Sequence, residues 1–416
     1  MKSIFFRNKY FLLGFFLLLS SIIYFILNTL KTYDIESYKH EIYKESIGSA
    51  NVYLSTLIKE KQNATTTIGL GLASNDLIIH ALKTSQATNH FLKDYSKKLS
   101  DNTDFKNVWF QLISKEGVSI ERSWTELKGD KISDARIDLQ KALFKQKVMS
   151  SISVGKFDLS FKTIIPIFDE SKHYLGALEV ITHFNSISSR LEDKKISSLI
   201  LADKKYKKQL IYPFTNQFVG EYYVANSEVK KNLLTYFQSI DFDKYLSKLR
   251  QNDYFIDPDL NSMISYYPLN DPEKKINLGH IVLIQNIANI GVNDISYIHY
   301  IYNIYFLFSL IALALVLYLS VTIDIKNIIG KSYSVDIVVY LVIVYFGLSF
   351  GIYKLLYLKY EGDVENFKQT LTYQTLLEYN AVVNKNQEFA NLIFDEILNT
   401  PKVIQLFKEQ KKRGTI

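Results

Sequence analysis

Three stretches of the chain are apolar almost throughout and long enough to cross a bilayer as helices, which takes roughly 20 residues. They are Phe11 to Leu30, Ile301 to Ile323 and Ile337 to Leu358. After the first, residues 31 to 72 keep a helical repeat, with Ile35, Tyr38 and Ile42 spaced three then four along one face. Ser74, Asn75 or Asp76 can then cap a new helix over "DLIIHALK" by accepting a bond from its free amides. From about residue 107 the period drops to two. "NVWFQLISKEGVSIERSW" reads as two strands joined at Lys115, Glu116 and Gly117, a hairpin signal. Asp134 to Lys147 reads as a helix, and "SISVGKFDLSFKTIIPIFDESKHYLGALEVITHF" as three further strands. The sum is a curled antiparallel sheet with helices on one side. "SLILADK" opens a second strand set, with Glu228 to Arg250 as its helix.

Two internal repeats organise these elements. "IIPIFDESKHYLGALEVI" resembles "SYYPLNDPEKKINLGHIVLI": Pro166 and Pro268, Asp169 and Asp271, and Leu175-Gly176 and Leu278-Gly279 take the same places in a strand, turn, strand unit. Tandem α/β modules over about 73–184 and 195–288 are the economical reading. The opening of the chain also recurs near its end. "YDIESYKHEIYKE" and "YEGDVENFKQTLTYQ" share Asp34/Asp363, Glu36/Glu365 and Lys39/Lys368, and "NTPKVIQLFK" repeats the later cap and helix. Residues 359–416 are therefore expected to begin a second, incomplete extracytoplasmic region.

Lys2, Arg7 and Lys9 precede the first apolar stretch, and no small-x-small cleavage pattern follows it. The positive-inside rule then puts residues 1–10 in the cytoplasm, 11–30 across the membrane, 31–298 outside, and 301–323 and 337–358 across again. The cytoplasmic loop 324–336, carrying Lys326 and Lys331, joins the last two spans. A multi-pass protein of a bacterial inner membrane is expected, with the lipid bilayer as a partner. The net charge of +7 comes from basic residues scattered among acidic ones, with no single stripe, which argues against nucleic acid. The absence of Cys excludes disulfides, thiolate metal sites and a cysteine nucleophile. No zinc-hydrolase helix, phosphate loop or nucleotide fingerprint occurs, so no catalytic set, metal or cofactor is expected.

With an anchor, a long helix and two α/β modules, the chain resembles the double Cache sensor domains of bacterial transmembrane receptors. "ISKEGVSIERSW", "LKGDKISDARIDLQKAL" and "VGKFDLSFKTIIPIFDESKHYLGALEVITHF" resemble the membrane-distal half of the type 3 group. There a strand ending in Arg-x-aromatic or Arg-x-His precedes a Gly-Asp turn, and a Pro-[Ile/Val]-Phe-Asp hairpin closes the sheet. The resemblance covers about residues 31–298. It implies an α+β fold of tandem Cache (PAS-like) modules, a homodimer, and sensing of a small extracytoplasmic ligand in the distal module. Members usually continue into a histidine kinase, diguanylate cyclase or methyl-accepting domain. This chain departs from them there, which suggests a truncated receptor. The competing reading is a non-signalling envelope scaffold that binds a partner protein.

One strand carries the candidate chemistry. Strict alternation in "VSIERSW" puts Val118, Ile120, Arg122 and Trp124 on one face and Ser119, Glu121 and Ser123 on the other. An Arg on an apolar face needs a partner, because an unpaired buried charge is costly. That partner is either a ligand carboxylate, with Trp124 packing the ligand's apolar part, or Asp130 or Asp134. Arg136, near the start of the following helix, is a further anion contact or a solvated residue. Phe110 and Lys162 complete the candidate set, and the ligand it suggests is an anionic metabolite.

Overall fold

The computed structural model describes residues 9–103, 105–132, 136–270, 276–290 and 295–322, with scattered helical residues beyond. The expected loop 324–336, the third span and the segment 359–416 lie outside the described residues apart from those scattered positions, as do Asp134 and Asp271. Two compact units divide the described residues: one takes those up to Ser46 and those from Ile290 as far as position 378, the other Ile47 to Asn289.

The first apolar stretch and the amphipathic run after it form one continuous helix, α1 (Lys9–Leu72), with no Pro to break it. With α8 (Ile295–Thr322) it makes two helices long and apolar enough to span a bilayer among the described residues. Within that unit the Tyr302 hydroxyl donates to Asp34 at 2.5 Å, and the Tyr24 and Phe306 rings meet edge to face.

The other unit holds two antiparallel sheets. The first runs in the order β2-β1-β5-β4-β3, from β1 (Trp109–Ser114), β2 (Ser119–Arg122), β3 (Met149–Val154), β4 (Leu159–Phe168) and β5 (Tyr174–Thr182). The second runs β7-β8-β6-β11-β10-β9, from β6 (Ile196–Ala202), β7 (Phe218–Val219), β8 (Tyr222–Val224), β9 (Tyr254–Asp257), β10 (Ser262–Asn270) and β11 (Asn277–Asn286).

The strand, turn, strand repeat corresponds to the hairpins β4–β5 and β10–β11. Pro166 pairs with Ala177 and Pro268 with His280, and both hairpins slip register one to two residues later. Each Pro lies past the last residue that the outer neighbour β3 or β9 pairs, where a missing N–H breaks no ladder. Gly176 and Gly279 also share a reason: a Cβ would stand 2.3 Å from the Ile113 carbonyl oxygen in one and 1.9 Å from that of Leu201 in the other.

The first sheet separates its side chains by the strand period. Phe110, Leu112, Ile165, Ile167, Leu178 and Val180 form its back, packed under Ile68 and Leu72 of α1 and under α2 (Asp76–Thr84) and α3 (Phe91–Asn102). Asn75 caps α2, its side chain accepting from Leu77 N. On the front, α4 (Ile137–Lys145) covers only Ile113, Ile164 and Ala177, through Leu139 and Ala142. Ala50, Leu54 and Leu57 of α1 join residues of both sheets, among them Phe161 and Leu283, in one further core.

Two expectations are corrected. The helix over Glu228 to Arg250 is two helices, α6 (Lys231–Ser239) and α7 (Phe242–Gln251), because Asp241 turns its carboxylate to the Lys244 amide and starts a new N-terminus. The alternation in "VSIERSW" also fails. Gln111 pairs Arg122 and Leu112 pairs Glu121, but Ile113 pairs Ser119, so Ile120 is the extra residue of a β-bulge. Ile120 therefore packs toward the back cluster, and Ser119 shares the front with Arg122.

Candidate ligand-binding site

The part of the front face that α4 leaves open is a cleft. Trp109 and Gln111 of β1, Arg122 and Trp124 of the β2 end, and Lys162 and Ile181 form its floor. Gly155, Lys156, Phe157 and Asp158 of the β3–β4 turn form one wall, with Arg136 and Ile132 on another side. It offers about 50 Å³ to the centres of water molecules, room for roughly three to five of them. A ligand that fits has few heavy atoms.

The alternation of β1 that brings Trp109 into the cleft sends Phe110 to the back, so the candidate ring is one residue out of register with the site. Trp124 is in the cleft and stacks on Trp109 with centroids 4.7 Å apart, while Phe157 meets Trp124 edge to face.

Arg122, with its side chain 3% exposed, is held on every side. Nη2 pairs with Asp130 Oδ1 at 2.8 Å and Nη1 donates to the Leu127 carbonyl at 2.7 Å. The hydrogen-bond network turns the Gln111 amide so that its oxygen accepts from Arg122 Nε at 3.0 Å and its nitrogen donates to Glu179 Oε2 at 3.0 Å. Asp130 also takes Lys156 Nζ at 2.7 Å. Burial opposes the Asp130 charge, but Lys156 and Arg122 outweigh it and hold the carboxyl below its usual value.

Arg136 is not a helical residue. It precedes α4 in extended conformation, and from there its guanidinium reaches Asp138 (2.6 and 3.2 Å) and Glu179 (2.5 Å). Burial works against this charge too, and the two carboxylates outweigh it. Asp138 is held low by Arg136 despite its burial, with Ser153 Oγ also donating to it at 3.1 Å. Lys162 differs: its ammonium donates to Ser153 O (2.6 Å) and Ser153 Oγ (3.0 Å), both neutral. Burial and then the Arg136 charge bring its pKa down to about 8.

Two polar atoms of the cleft lining have no close hydrogen-bond partner, Trp124 Nε1 and Asp158 Oδ1. The other Asp158 oxygen meets His183 Nδ1 at 2.5 Å, both side chains being buried. The buried Tyr223 phenol feels that carboxylate, which adds to the effect of burial in pushing its pKa up. Four cations, Arg122, Arg136, Lys156 and Lys162, thus stand against four carboxylates, Asp130, Asp138, Asp158 and Glu179. Leaving aside His183, whose ring contacts Asp158, the site carries no surplus charge.

Glu179, Asp158, Gln111 and His183 escaped the sequence reading. Glu179 was within reach, because a carboxylate inside "GALEVIT" is the same anomaly that singles out Arg122. Asp158 sits in a polar turn where nothing local marks it.

No protein-family model matches the chain, and comparison with curated proteins finds no match. Solved structures do resemble it. The sensor domain of E. coli DcuS is 15% identical over 32% of this chain and 95% of its own, with TM-score 0.27. The sensor domain of the V. cholerae histidine kinase DctB is 12% identical over 59% and 98%, with TM-score 0.34. The sensory domain of the Campylobacter jejuni chemoreceptor Tlp3 with isoleucine bound is 14% identical over 64% and 98%, with TM-score 0.32. These neighbours are sensor domains of kinases and receptors, the class the sequence resemblance names. At these TM-scores the likeness is a similarity and no more.

Proposed function

We propose that the chain is a membrane-anchored, extracytoplasmic sensor whose cleft binds a small metabolite bearing both a cationic and an anionic group. One observation carries this reading: a cleft whose Arg and Lys cations equal its carboxylates in number keeps a donor without a partner, Trp124 Nε1, and a carboxylate, Asp158, whose Oδ1 accepts no close hydrogen bond, the nearby Tyr223 hydroxyl being its weaker neighbour. Lys162 adds a buried ammonium whose bonds go to neutral oxygens. A ligand ammonium at Asp158 and a ligand carboxylate at Lys162 and Trp124 leave the balance intact. An anion alone adds an unpaired charge to a buried site, which is costly. Arg122 and Arg136 then shape the site through pairs they already hold.

The apolar stretches on either side of the sheets in the sequence, and the charges before the first of them, support an inner-membrane location with the sheets outside. A bound ligand alters output only by favouring one of two arrangements of the helices that leave the sensor.

The chain has two Trp, and both line the cleft, so tryptophan emission of the full chain in lipid nanodiscs reports this site alone. Titration with amino acids, organic acids, amines and nucleobases is expected to move the emission for zwitterions, and Asp158→Asn to abolish the response. A response to organic acids alone overturns the zwitterion reading, and unchanged emission across the panel overturns the sensor reading.

A further inference from the structure

One wall of the cleft comes from the second sheet. Residues 203–217 connect β6 to β7, and on the way they cross to the β3–β4 turn, where Gln209 lines the cleft. Three hydrogen bonds hold the crossing: Tyr212 N to Lys156 O at 2.9 Å, Phe214 N to Phe157 O at 2.8 Å, and Gln209 Nε2 to Val154 O at 2.6 Å. Two rings seat it. Tyr212 stacks on Phe157 at 5.6 Å, and Phe214 lies on His183 at 5.2 Å with its edge toward Trp109.

The β3–β4 turn therefore has two clients. Its main-chain carbonyls hold the crossing segment, and the side chains of Lys156, Phe157 and Asp158 face the cleft. The stretch is fixed on either side of its middle, by Leu210, buried in the core that both sheets share, and by Thr215, whose hydroxyl donates to the Val224 carbonyl of the second sheet. Its middle is bare, with Ile211 57% and Tyr212 51% exposed. A segment with few buried apolar contacts between firm ends opens locally at low cost.

We propose that residues 203–217 are a strap over the cleft, alternately docked and released, and that an occupied cleft favours the docked form. A ligand that orders the β3–β4 turn has already met part of the ordering cost of docking, so the two events assist each other without further contact. The strap carries occupancy of the first sheet to the second. Only the occupant rests on the sensor reading; the opening of the strap needs no ligand.

The test is chosen to keep the two apart. The chain has no Cys, so Phe157→Cys/Tyr212→Cys places a single disulfide across the stacked pair. Acrylamide quenching of the two Trp in the full chain is expected to fall severalfold on oxidation and return on reduction, because the docked strap shields Trp109. Equal quenching in both forms overturns the proposal. In the unsubstituted chain the Tyr212 and Phe214 amides are expected to exchange hydrogen far faster than those of Ile165 and Val180 in the sheet. Equal protection overturns it independently. A flat ligand panel defeats the sensor reading and leaves both measurements standing.

Discussion

Replacing Arg136 by Met removes the cation that pairs directly with both Asp138 and Glu179, the latter fully buried, and leaves the buried Lys162 ammonium as the next cation acting on them. Asp138 keeps the Ser153 hydroxyl and Glu179 keeps the Gln111 amide, neither a counter-charge, and Lys162, which hydrogen-bonds Ser153 instead, compensates only through space. Removing one partner of a buried ion pair costs about 3–5 kcal/mol. For a unit of this size each kcal/mol moves the midpoint by about 2–4 °C, so a fall of roughly 6–20 °C is expected in thermal unfolding of the full chain at pH 7. The pH dependence is the sharper readout. In the native chain Asp138 is held below its unfolded value of 3.8, so its contribution is present above that pH and is lost as the pH falls below it. In the variant the unpaired carboxylates are raised, the folded state binds more protons than the unfolded, and stability rises as pH falls from 7 toward 5. Adding Glu179→Gln recovers part of the loss. A variant melting within about 1 °C of the native chain, with the native pH slope, refutes the reasoning.

Gly279→Ala is expected to cost about 3 kcal/mol, because its Cβ meets the Leu201 carbonyl at 1.9 Å, whereas Gly48→Ala in α1 meets nothing within 4 Å and gains up to about 1 kcal/mol; urea midpoints separate the two. Burial and then Arg250 lower the His280 pKa from 6.5 to about 4, so the folded state refuses a proton that the unfolded state accepts between those values. Stability therefore drops by roughly 3 kcal/mol on acidification across that window, and His280→Gln flattens the profile of melting against pH. With the Lys162 pKa near 8, affinity for a carboxylate-bearing ligand, read by tryptophan emission, is expected to decline above that pH. Lys162→Met should remove this decline together with most of the binding.

What the sequence showed and what it hid divide by range. The period-two runs around Trp109, Phe161 and Leu178 mark their strands without help, since burial on alternate positions is a local pattern. The repeated Pro and Leu-Gly marked two hairpins that proved to share register slips and a close carbonyl approach. Register within a face was harder. The bulge at Ile120 leaves no trace in composition, and Phe110 and Trp109 differ by one residue, which in a strand is a difference of face, so Trp109 lines the cleft and Phe110 does not. Arg136 looked helical because its neighbours are. Asp158 and Gln209 were out of reach, since their roles depend on His183 and on a crossing between two sheets that no spacing encodes.

The two faces of β4 and β5 have a consequence for how such a protein changes over time. Lys162, Glu179 and Ile181 look into the cleft or its supporting network, while their neighbours Thr163 and Thr182 turn the other way and meet the hydroxyls of Thr66 and Thr65 on α1. Gly69, one turn further on, lets the helix press against Ile165 and Val180 where a Cβ would collide. On the proposed reading, ligand preference and helix seating are written in alternating letters of the same two strands. Substitutions at one set can retune what is recognised while the other keeps the helix where it was, so new specificities are open to selection without rebuilding the output. A one-residue insertion in either strand exchanges the two sets and destroys both roles at once unless it is absorbed as a bulge like that at Ile120, so drift by substitution is the more open path.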